Sequence, residues 1–261
     1  MSESTVLYEL RPPAAVLTLN RPDRRNAISR ALIAGLSEAM ARAGDDSSAR
    51  CVILTGAGTS FCAGMDLAEL SESIQRRTDA DDIWHDVLSL AKLYDLIYTL
   101  PKPTIAAVNG PAVAGGAGLV TVCDLAVSVP EAKFGYPEVR RGLVAAMVMP
   151  HLLRHVGERM ARHLLLTGEL IDAEAARQSG LINGVVPADQ LLDHALALAR
   201  SIAAGGPQAL AATKSLLLQF SRQTVSIADT AKASAAPRLG DECRVGLRAF
   251  FEKRPAPWEA P

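Results

Sequence analysis

Short runs of apolar residues alternate with amphipathic stretches along the first half of the chain, a pattern that predicts strands separated by helices. Ser29 is placed to cap an amphipathic helix that runs to about Ala43. A mixed polar stretch from Ala68 to Leu100 contains further helical segments. The four predicted strands are almost continuously apolar, as buried strands of a parallel sheet are: Ala14 to Pro22 (ending in a turn), Cys51 to Gly56, Thr104 to Gly110, and Leu125 to Val129.

The second half of the chain has a different pattern, because helical periodicity dominates from Val144 onward. Its clearest amphipathic helix spans Ala188 to Ala204, and Gly205-Gly206-Pro207 directly after it is a stop signal. The sequence therefore predicts an α/β core with parallel strand pairing, followed by a helical C-terminal third.

Composition and charge argue against several classes of function. Of the 261 residues, 49% are hydrophobic and 21% are charged, which is ordinary for one large globular domain. The 27 basic and 28 acidic side chains nearly cancel and form no long basic run, so no nucleic-acid surface is indicated. The uncharged stretch between Lys102 and Asp124 is broken by prolines and glycines, which argues against a membrane span.

Side chains that bind metals or take part in redox chemistry are scattered along the sequence. The four cysteines have neither metal-ligand nor redox spacing, and His151, His155 and His163 have no acidic or cysteine partner at a ligand spacing. No metal site is indicated. The N-terminus lacks the basic and apolar regions of a secretory signal, so a cytoplasmic location is expected.

Three segments are candidates for chemistry: Phe61 to Asp66, Val108 to Gly118, and Phe134 to Glu138. In the second, a strand leads through Asn-Gly-Pro into Gly115-Gly116, where an apolar helix can begin. The first amides of a helix lack intrahelical acceptors and lie at the positive end of the helix dipole, so this segment suits an oxyanion. Each segment also has a purely structural explanation: a flexible loop, tight helix–sheet packing, and a helix start, respectively.

In this order and at these spacings, the three segments resemble the enoyl-CoA hydratase/isomerase (crotonase) family. The likeness begins at Leu19-Asn20-Arg21-Pro22 and ends at Phe250 to Arg254. It implies a ββα spiral core over residues 1–200, with the CoA and active sites, and a C-terminal helical oligomerisation region over residues 201–261. It also implies a homotrimer or homohexamer that acts on an acyl-CoA thioester, with coenzyme A as part of the substrate and no separate cofactor.

The resemblance also assigns roles to individual residues. The N–H groups of Met65 and Gly115 would form an oxyanion hole for the thioester oxygen as it gains enolate charge, and Glu138 would be the acid/base group. Four residues would contact CoA: Arg24, Ala63, Asp66 and Lys253. Lys253 would do so from a neighbouring subunit. The acyl pocket would include Gly118, Tyr136 and Ala146.

Gly118 departs from the family pattern. Typical hydratases of the family use two glutamates across the alkene, of which the second maps onto Glu138 and the first onto Gly118, which has no side chain. Hydration by two carboxylates therefore cannot be carried over to this chain.

The pKa of Glu138 is expected to depend on its surroundings. If Val139, Leu143 and Val144 bury this carboxyl group, desolvation should raise its pKa. Arg140 or Arg141 would offset that rise if either pointed inward.

The sequence favours hydration of a 2-enoyl-CoA by Glu138 alone, and Δ3,Δ2-enoyl-CoA isomerisation is the enzymatic alternative. Hydratases of branched or glutaconyl-type acyl-CoAs also have Gly-Leu at the first glutamate position, and the likeness to them extends from Arg141 to Ala146. A catalytically silent acyl-CoA binder is the alternative from another class. Thioester hydrolysis is disfavoured, since Leu143 to Pro150 contains no acidic residue. His85 and Asp86 are expected on a solvent-facing helix, with the acyl pocket as their alternative location.

Overall fold

The apolar runs of the sequence form the strands of a largely parallel sheet. In the computed structural model, which describes residues 4–75, 80–221 and 227–255, the strands are β1 Val6–Arg11, β2 Ala14–Leu19, β3 Cys51–Gly56, β4 Thr104–Val108, β5 Ala112–Val113, β6 Leu125–Ser128, β7 Lys133–Gly135, β8 Leu170–Asp172 and β9 Gly184–Val185. The helices are α1 Arg30–Asp45, α2 Leu67–Gln75, α3 Ala80–Thr99, α4 Gly115–Val122, α5 Met149–Thr167, α6 Ala173–Gln178, α7 Leu191–Ala203, α8 Pro207–Ser221, α9 Ile227–Ala235 and α10 Asp241–Phe251. Short 3-10 turns occupy Pro22–Arg24, Pro137–Arg141, Ala188–Gln190 and Ala236–Leu239.

The larger sheet has the strand order β1-β2-β3-β4-β6-β9. Every pair after the first is parallel, which confirms the predicted pairing. All five residues of β4 are buried because helices cover the sheet, with α1, α4 and α7 in contact with it. The antiparallel pair of this sheet, β1 with β2, was not predicted, since β1 mixes exposed and buried residues and carries Tyr8 and Glu9.

The smaller sheet joins the three candidate segments. Its strands run in the order β5-β7-β8, so the strand before Gly115 lies beside the strand before Glu138. Cys62 extends this arrangement through an isolated parallel bridge to Ala112. Segments far apart in sequence are thus hydrogen-bonded neighbours.

The predicted helices are confirmed, with small changes at their ends. The Ser29 hydroxyl accepts a hydrogen bond from Leu32 N at 3.1 Å and caps α1, as expected. The stretch predicted as one helix from Ala188 begins with a 3-10 turn, continues as α7 and ends before the glycine pair. The expectation that the chain is helical almost throughout after Val144 misses β8 and β9, which are too short to leave a periodic signal.

The C-terminal helices fold back over the core. Buried residues of α3 and α9 form one apolar cluster: Ile83, Val87, Ala91, Ala231 and Ala235. A second cluster places α10 against α2 and the turn after Glu138, through Leu70, Leu143, Cys243 and Leu247. Helix α10 therefore packs over the turn that carries the acid/base candidate. In the part of the chain that the structure describes, no helix is long and apolar enough to span a bilayer.

Candidate active site

A cavity of about 410 Å³ lies where the three candidate segments meet. The loop at Ala63 and Met65, the N-terminus of α4 and the turn at Pro137 and Glu138 form its walls. Tyr94 and Leu90 of α3 also line it, as do residues of the C-terminal region, Ser234, Arg238 and Phe250. Its lining is thus mainly apolar with a few polar groups, the usual composition of a small-molecule site.

Two asparagines fix the loop that leads to Met65. Asn26 is fully buried, and its side chain donates hydrogen bonds to the carbonyls of Ala57 at 2.9 Å and Ser60 at 2.8 Å. The Asn109 side chain donates to the carbonyl of Gly58 at 3.0 Å. These bonds satisfy loop carbonyls that no sheet partner reaches, so the loop is held in one conformation.

The N–H groups of Met65 and Gly115 are free to bind an oxyanion. A short parallel ladder uses the groups on either side of Met65: Ile28 N donates to Gly64 O at 2.8 Å, and Asp66 N donates to Ile28 O at 2.9 Å. The Met65 N–H therefore points away from that ladder. Gly115 is the first residue of α4, so its N–H has no intrahelical acceptor. Neither amide has an acceptor within residues 4–75, 80–221 and 227–255.

Close packing holds these two amides side by side. Val113 N donates to Cys62 O at 3.0 Å, which joins the two segments. Gly64 has a φ of +90°, and a Cβ there would lie 2.8 Å from the Ala114 Cβ and 3.3 Å from Gly115 N. Ala114 has a φ of 53°, a left-handed conformation that costs a non-glycine residue about 1–3 kcal/mol. Backbone strain of this kind, next to one of the two free amides, is typical of a functional site.

Tyr94 supports the Gly115 segment from α3. Its hydroxyl donates to the Gly115 carbonyl at 2.7 Å, and the side chain is buried. Burial raises the pKa of Tyr94 well above its usual value, so this hydroxyl stays protonated at neutral pH.

Glu138 lies in the turn that follows β7, with its Oε2 atom buried in the cavity wall. Oε2 has no hydrogen-bond partner in the described residues. Burial raises the pKa of Glu138 to about 7, although the charges of Arg141 and Arg238 act in the opposite direction. The expected rise is confirmed, and the group is poised to exchange protons near neutral pH.

The prediction of which neighbours bury Glu138 is partly wrong. Val139 and Val144 are 38% and 40% exposed, whereas Leu143 is buried, and of the three only Leu143 and Val144 line the cavity. Of the two candidate arginines, Arg141 lowers the pKa of Glu138, while Arg140 turns outward and donates to the carbonyl of Thr167. Residues remote in sequence, on α3 and in the C-terminal region, complete the enclosure.

The structure brings together five of the predicted site residues. The cavity lining includes Glu138, Met65, Gly115, Arg24 and Ala63. Their predicted roles in acid/base chemistry, oxyanion binding and CoA binding stay predictions.

Other predicted site residues lie outside that lining. Asp66 instead pairs with Arg21 at 2.9 Å. Lys253 is exposed after α10. Two of the predicted acyl-pocket residues also lie outside the lining. Tyr136 is buried in the core, and the neighbours of Ala146, Ala145 and Met147, line the cavity in its place.

The side chains expected on a solvent-facing helix lie on α3 as predicted. His85 is exposed, and Asp86 accepts a hydrogen bond from Arg30 Nε at 2.7 Å. Neither residue lines the cavity.

The space beside Gly118 is already filled. A Cβ at this position would lie 2.5 Å from Val148 Cγ1 and 2.6 Å from the Tyr94 hydroxyl. Gly118, predicted as an acyl-pocket residue, lies outside the cavity lining, and the position to which the family's first glutamate maps has no room for a side chain.

We expect Gly118→Ala to destabilise the fold by about 1–3 kcal/mol, because the added methyl group overpacks a filled site. Gly118→Glu should destabilise it further and give no gain in hydration. The control is Gly44→Ala in helix α1, where a Cβ meets only the flexible Leu100 side chain, at 3.3 Å. Denaturant unfolding of the three variants measures the effect, and a Gly118→Ala variant as stable as the parent would contradict it.

Several residues that line the cavity were not predicted from the sequence, among them Arg25, Tyr94 and Arg238. Arg25 adjoins a predicted CoA contact and could have been proposed with it. Arg238 left a weak signal, a single charge among small and apolar residues from Ala233 to Gly240. Tyr94 left none, since an aromatic residue on an amphipathic helix is ordinarily a core residue.

The described residues contain no cluster of three or more histidine, cysteine, aspartate or glutamate side chains that could hold a metal ion. All four cysteines are buried free thiols. Burial raises the pKa of Cys62 to about 12, so this thiol is unreactive although it lies in the same loop as Met65.

Comparison with known proteins places the chain among acyl-CoA enzymes. Residues 12–261 match the family model for enoyl-CoA hydratase/isomerase. A candidate enoyl-CoA hydratase of Thermus thermophilus is 45% identical over 92% of this chain and 95% of its own, and the 2,3-dehydroadipyl-CoA hydratase of Escherichia coli is 35% identical over 97% of both. The crystal structure of an enoyl-CoA hydratase from Mycobacterium avium superposes with a TM-score of 0.83 at 35% identity, covering 98% of this chain and 100% of that one.

Proposed function

The chain belongs to the enoyl-CoA hydratase/isomerase family, and on that premise we propose that it hydrates a 2-enoyl-CoA with Glu138 as the sole acid/base group. One observation carries the proposal: a carboxyl group with a pKa of about 7 and two free amide N–H groups converge on one cavity. The hydratase names of its relatives support hydration as the first choice.

The thioester oxygen accepts hydrogen bonds from Met65 N and Gly115 N. As the Glu138 carboxylate takes a proton from water, the water oxygen attacks C3, and the electron pair of the C2=C3 bond moves to the thioester oxygen. The two amides stabilise this enolate, and each preorganised donor typically lowers such a barrier by about 3 kcal/mol. Protonated Glu138 then delivers its proton to C2, which returns the carboxylate and completes the addition of water.

CoA is proposed to enter past Arg24 and the backbone of Ala63. Both line the same cavity as Met65 and Gly115, and Arg25 adds a second guanidinium group there. Arginine binds phosphate groups through its planar fork of donors, which suits the charged part of CoA.

Isomerisation is the second candidate, and the filled space beside Gly118 favours it. With no side chain at that position, Glu138 stands without the second glutamate of typical hydratases. Glu138 could then remove a proton from C2 of a 3-enoyl-CoA and return it at C4, through the same enolate. This reaction needs no activated water.

The test is incubation of the protein with a 2-enoyl-CoA and with a 3-enoyl-CoA in heavy water, followed by mass spectrometry. We expect the first to give 3-hydroxyacyl-CoA with deuterium at C2. A shifted double bond without added water would make the protein an isomerase. Tight binding of both esters with no product would overturn the proposal in favour of a silent binder.

A further inference from the structure

Arg238 is a buried cation in the wall of the cavity. It lies in the short turn Ala236–Leu239 of the C-terminal region, is 5% exposed and lines the same cavity as Glu138. Burial lowers the pKa of Arg238 to about 10, so the guanidinium stays protonated at neutral pH. The proposed hydration chemistry assigns no role to this charge.

The hydrogen-bond donors of Arg238 are poorly satisfied. Its Nη2 atom donates to the Met65 sulfur at 3.1 Å, and a thioether is a weak acceptor. Its Nε atom is buried with no partner in the described part of the chain. A guanidinium that lines a cavity can bind both oxygens of a carboxylate in a bidentate pair.

No carboxylate of the described residues forms such a pair with Arg238. No acidic side chain within these residues forms an ion pair with Arg238. The carboxyl groups whose charges reach it are Asp86, which already pairs with Arg30, and Glu138, which forms no ion pair with it in the described residues. A buried cation without a partner costs several kcal/mol, so its presence in a binding cavity indicates a ligand that supplies the missing charge.

The CoA phosphates are a poorer match for Arg238. Arg24 and Arg25 provide guanidinium groups elsewhere on the lining, next to the loop at Ala63. Arg238 instead lies beside the Met65 side chain and lines the same cavity as Tyr94, so it is placed to meet the acyl chain.

We propose that Arg238 binds a carboxylate carried by the acyl chain, so that the preferred substrates are CoA thioesters of unsaturated dicarboxylic acids. The proposal rests on the proposed function for the reaction, since hydration and carboxylate recognition occur in one cavity. Arg238 would then set specificity and take no part in proton transfer.

The test compares acyl-CoA esters that differ only in a terminal carboxylate. Succinyl-CoA is paired with butyryl-CoA, and adipyl-CoA with hexanoyl-CoA; these saturated esters report binding without any turnover. Calorimetry should give a Kd at least about 10-fold lower for the carboxylate in one pair or both. The corresponding 2-enoyl esters then give kcat/KM, where the same preference is expected.

Three variants assign the preference to Arg238. Arg238→Met should lower affinity for the carboxylate ester at least about 10-fold and leave the methyl-ended ester unchanged. Arg238→Lys should retain part of the preference. Arg248→Met removes the same charge from an exposed position on α10 and should leave the affinity for both esters unchanged.

The outcomes separate this proposal from the proposed reaction. Equal affinity of the parent protein for both members of each pair would overturn it, as would equal losses on both esters in Arg238→Met. If circular dichroism shows that Arg238→Met is unfolded, the carboxylate preference of the parent protein and of Arg238→Lys tests the proposal instead. A carboxylate preference without turnover of either enoyl ester would support Arg238 as the binding group while refuting hydration.

Discussion

Replacing Glu138 with glutamine is expected to lower kcat/KM for the hydration of a 2-enoyl-CoA by about 10³-fold. Glutamine keeps the size of the side chain but can neither accept a proton from water nor return one to C2, and both half-reactions need that transfer. No other carboxylate can substitute at the position to which the family's first glutamate maps, because the space beside Gly118 is filled. Loss of the enoyl thioester absorbance measures the rate, and a variant within tenfold of the parent would refute the role of Glu138.

Stability measurements show whether Glu138→Gln loses activity through unfolding. The pKa of Glu138 is about 7 in the folded protein, compared with an ordinary value of 4.5. Above pH 7 the folded state therefore holds a poorly solvated carboxylate, which destabilises it by at most about 3 kcal/mol relative to the unfolded chain. This penalty shrinks as the pH falls from 7 towards 4.5. The glutamine variant should thus be more stable than the parent at pH 8 and lose that advantage at pH 5.

The same pKa fixes the direction of the pH–rate profile. Attack by water needs the Glu138 carboxylate, so kcat/KM of the parent should rise with pH and level off above about 7. The residual rate of Glu138→Gln should lack this rise.

The sequence was sufficient to predict the core of the fold because its strands are locally encoded. β2, β3 and β4 are continuous apolar runs, and α1 carries both its cap at Ser29 and an amphipathic stripe. β5 and β9 are two residues long and depend on partners remote in sequence, so no local pattern could reveal them.

The site was predictable only where backbone and motif define it. Met65, Gly115 and Glu138 lie in short segments whose order and spacing carry the family likeness, and the structure places all three on one cavity. Tyr94 and Arg238 reach that cavity from elements that pack over it through tertiary contacts, which a sequence pattern does not encode. Gly118 was expected in the acyl pocket, whereas Val148 and Tyr94 fill the space beside it.

Gly64→Ala is expected to lower kcat about 100-fold, because it separates the two amides of the oxyanion hole. The new methyl group would lie 2.8 Å from the Ala114 Cβ, 2.9 Å from the Val113 carbonyl oxygen and 3.3 Å from Gly115 N. Relief of these contacts must move the Met65 loop away from the start of α4. Loss of one oxyanion donor typically costs 10²–10³ in kcat, and a displacement of about 1 Å has an effect of similar size.

Gly58→Ala is the matched control for this variant. Gly58 lies in the same loop and also has a positive φ, +74°, but a Cβ there would meet only Pro22, at 3.0 Å. Both substitutions should destabilise the fold by about 1–2 kcal/mol through backbone strain, since alanine resists the left-handed conformation. Gly64→Ala should cost more than this because of its added close contacts. Only Gly64→Ala should lose turnover, as measured by steady-state kinetics on folded protein. An equal loss in both variants would assign the effect to the loop as a whole, and normal turnover in Gly64→Ala would place the thioester oxygen elsewhere than between Met65 N and Gly115 N.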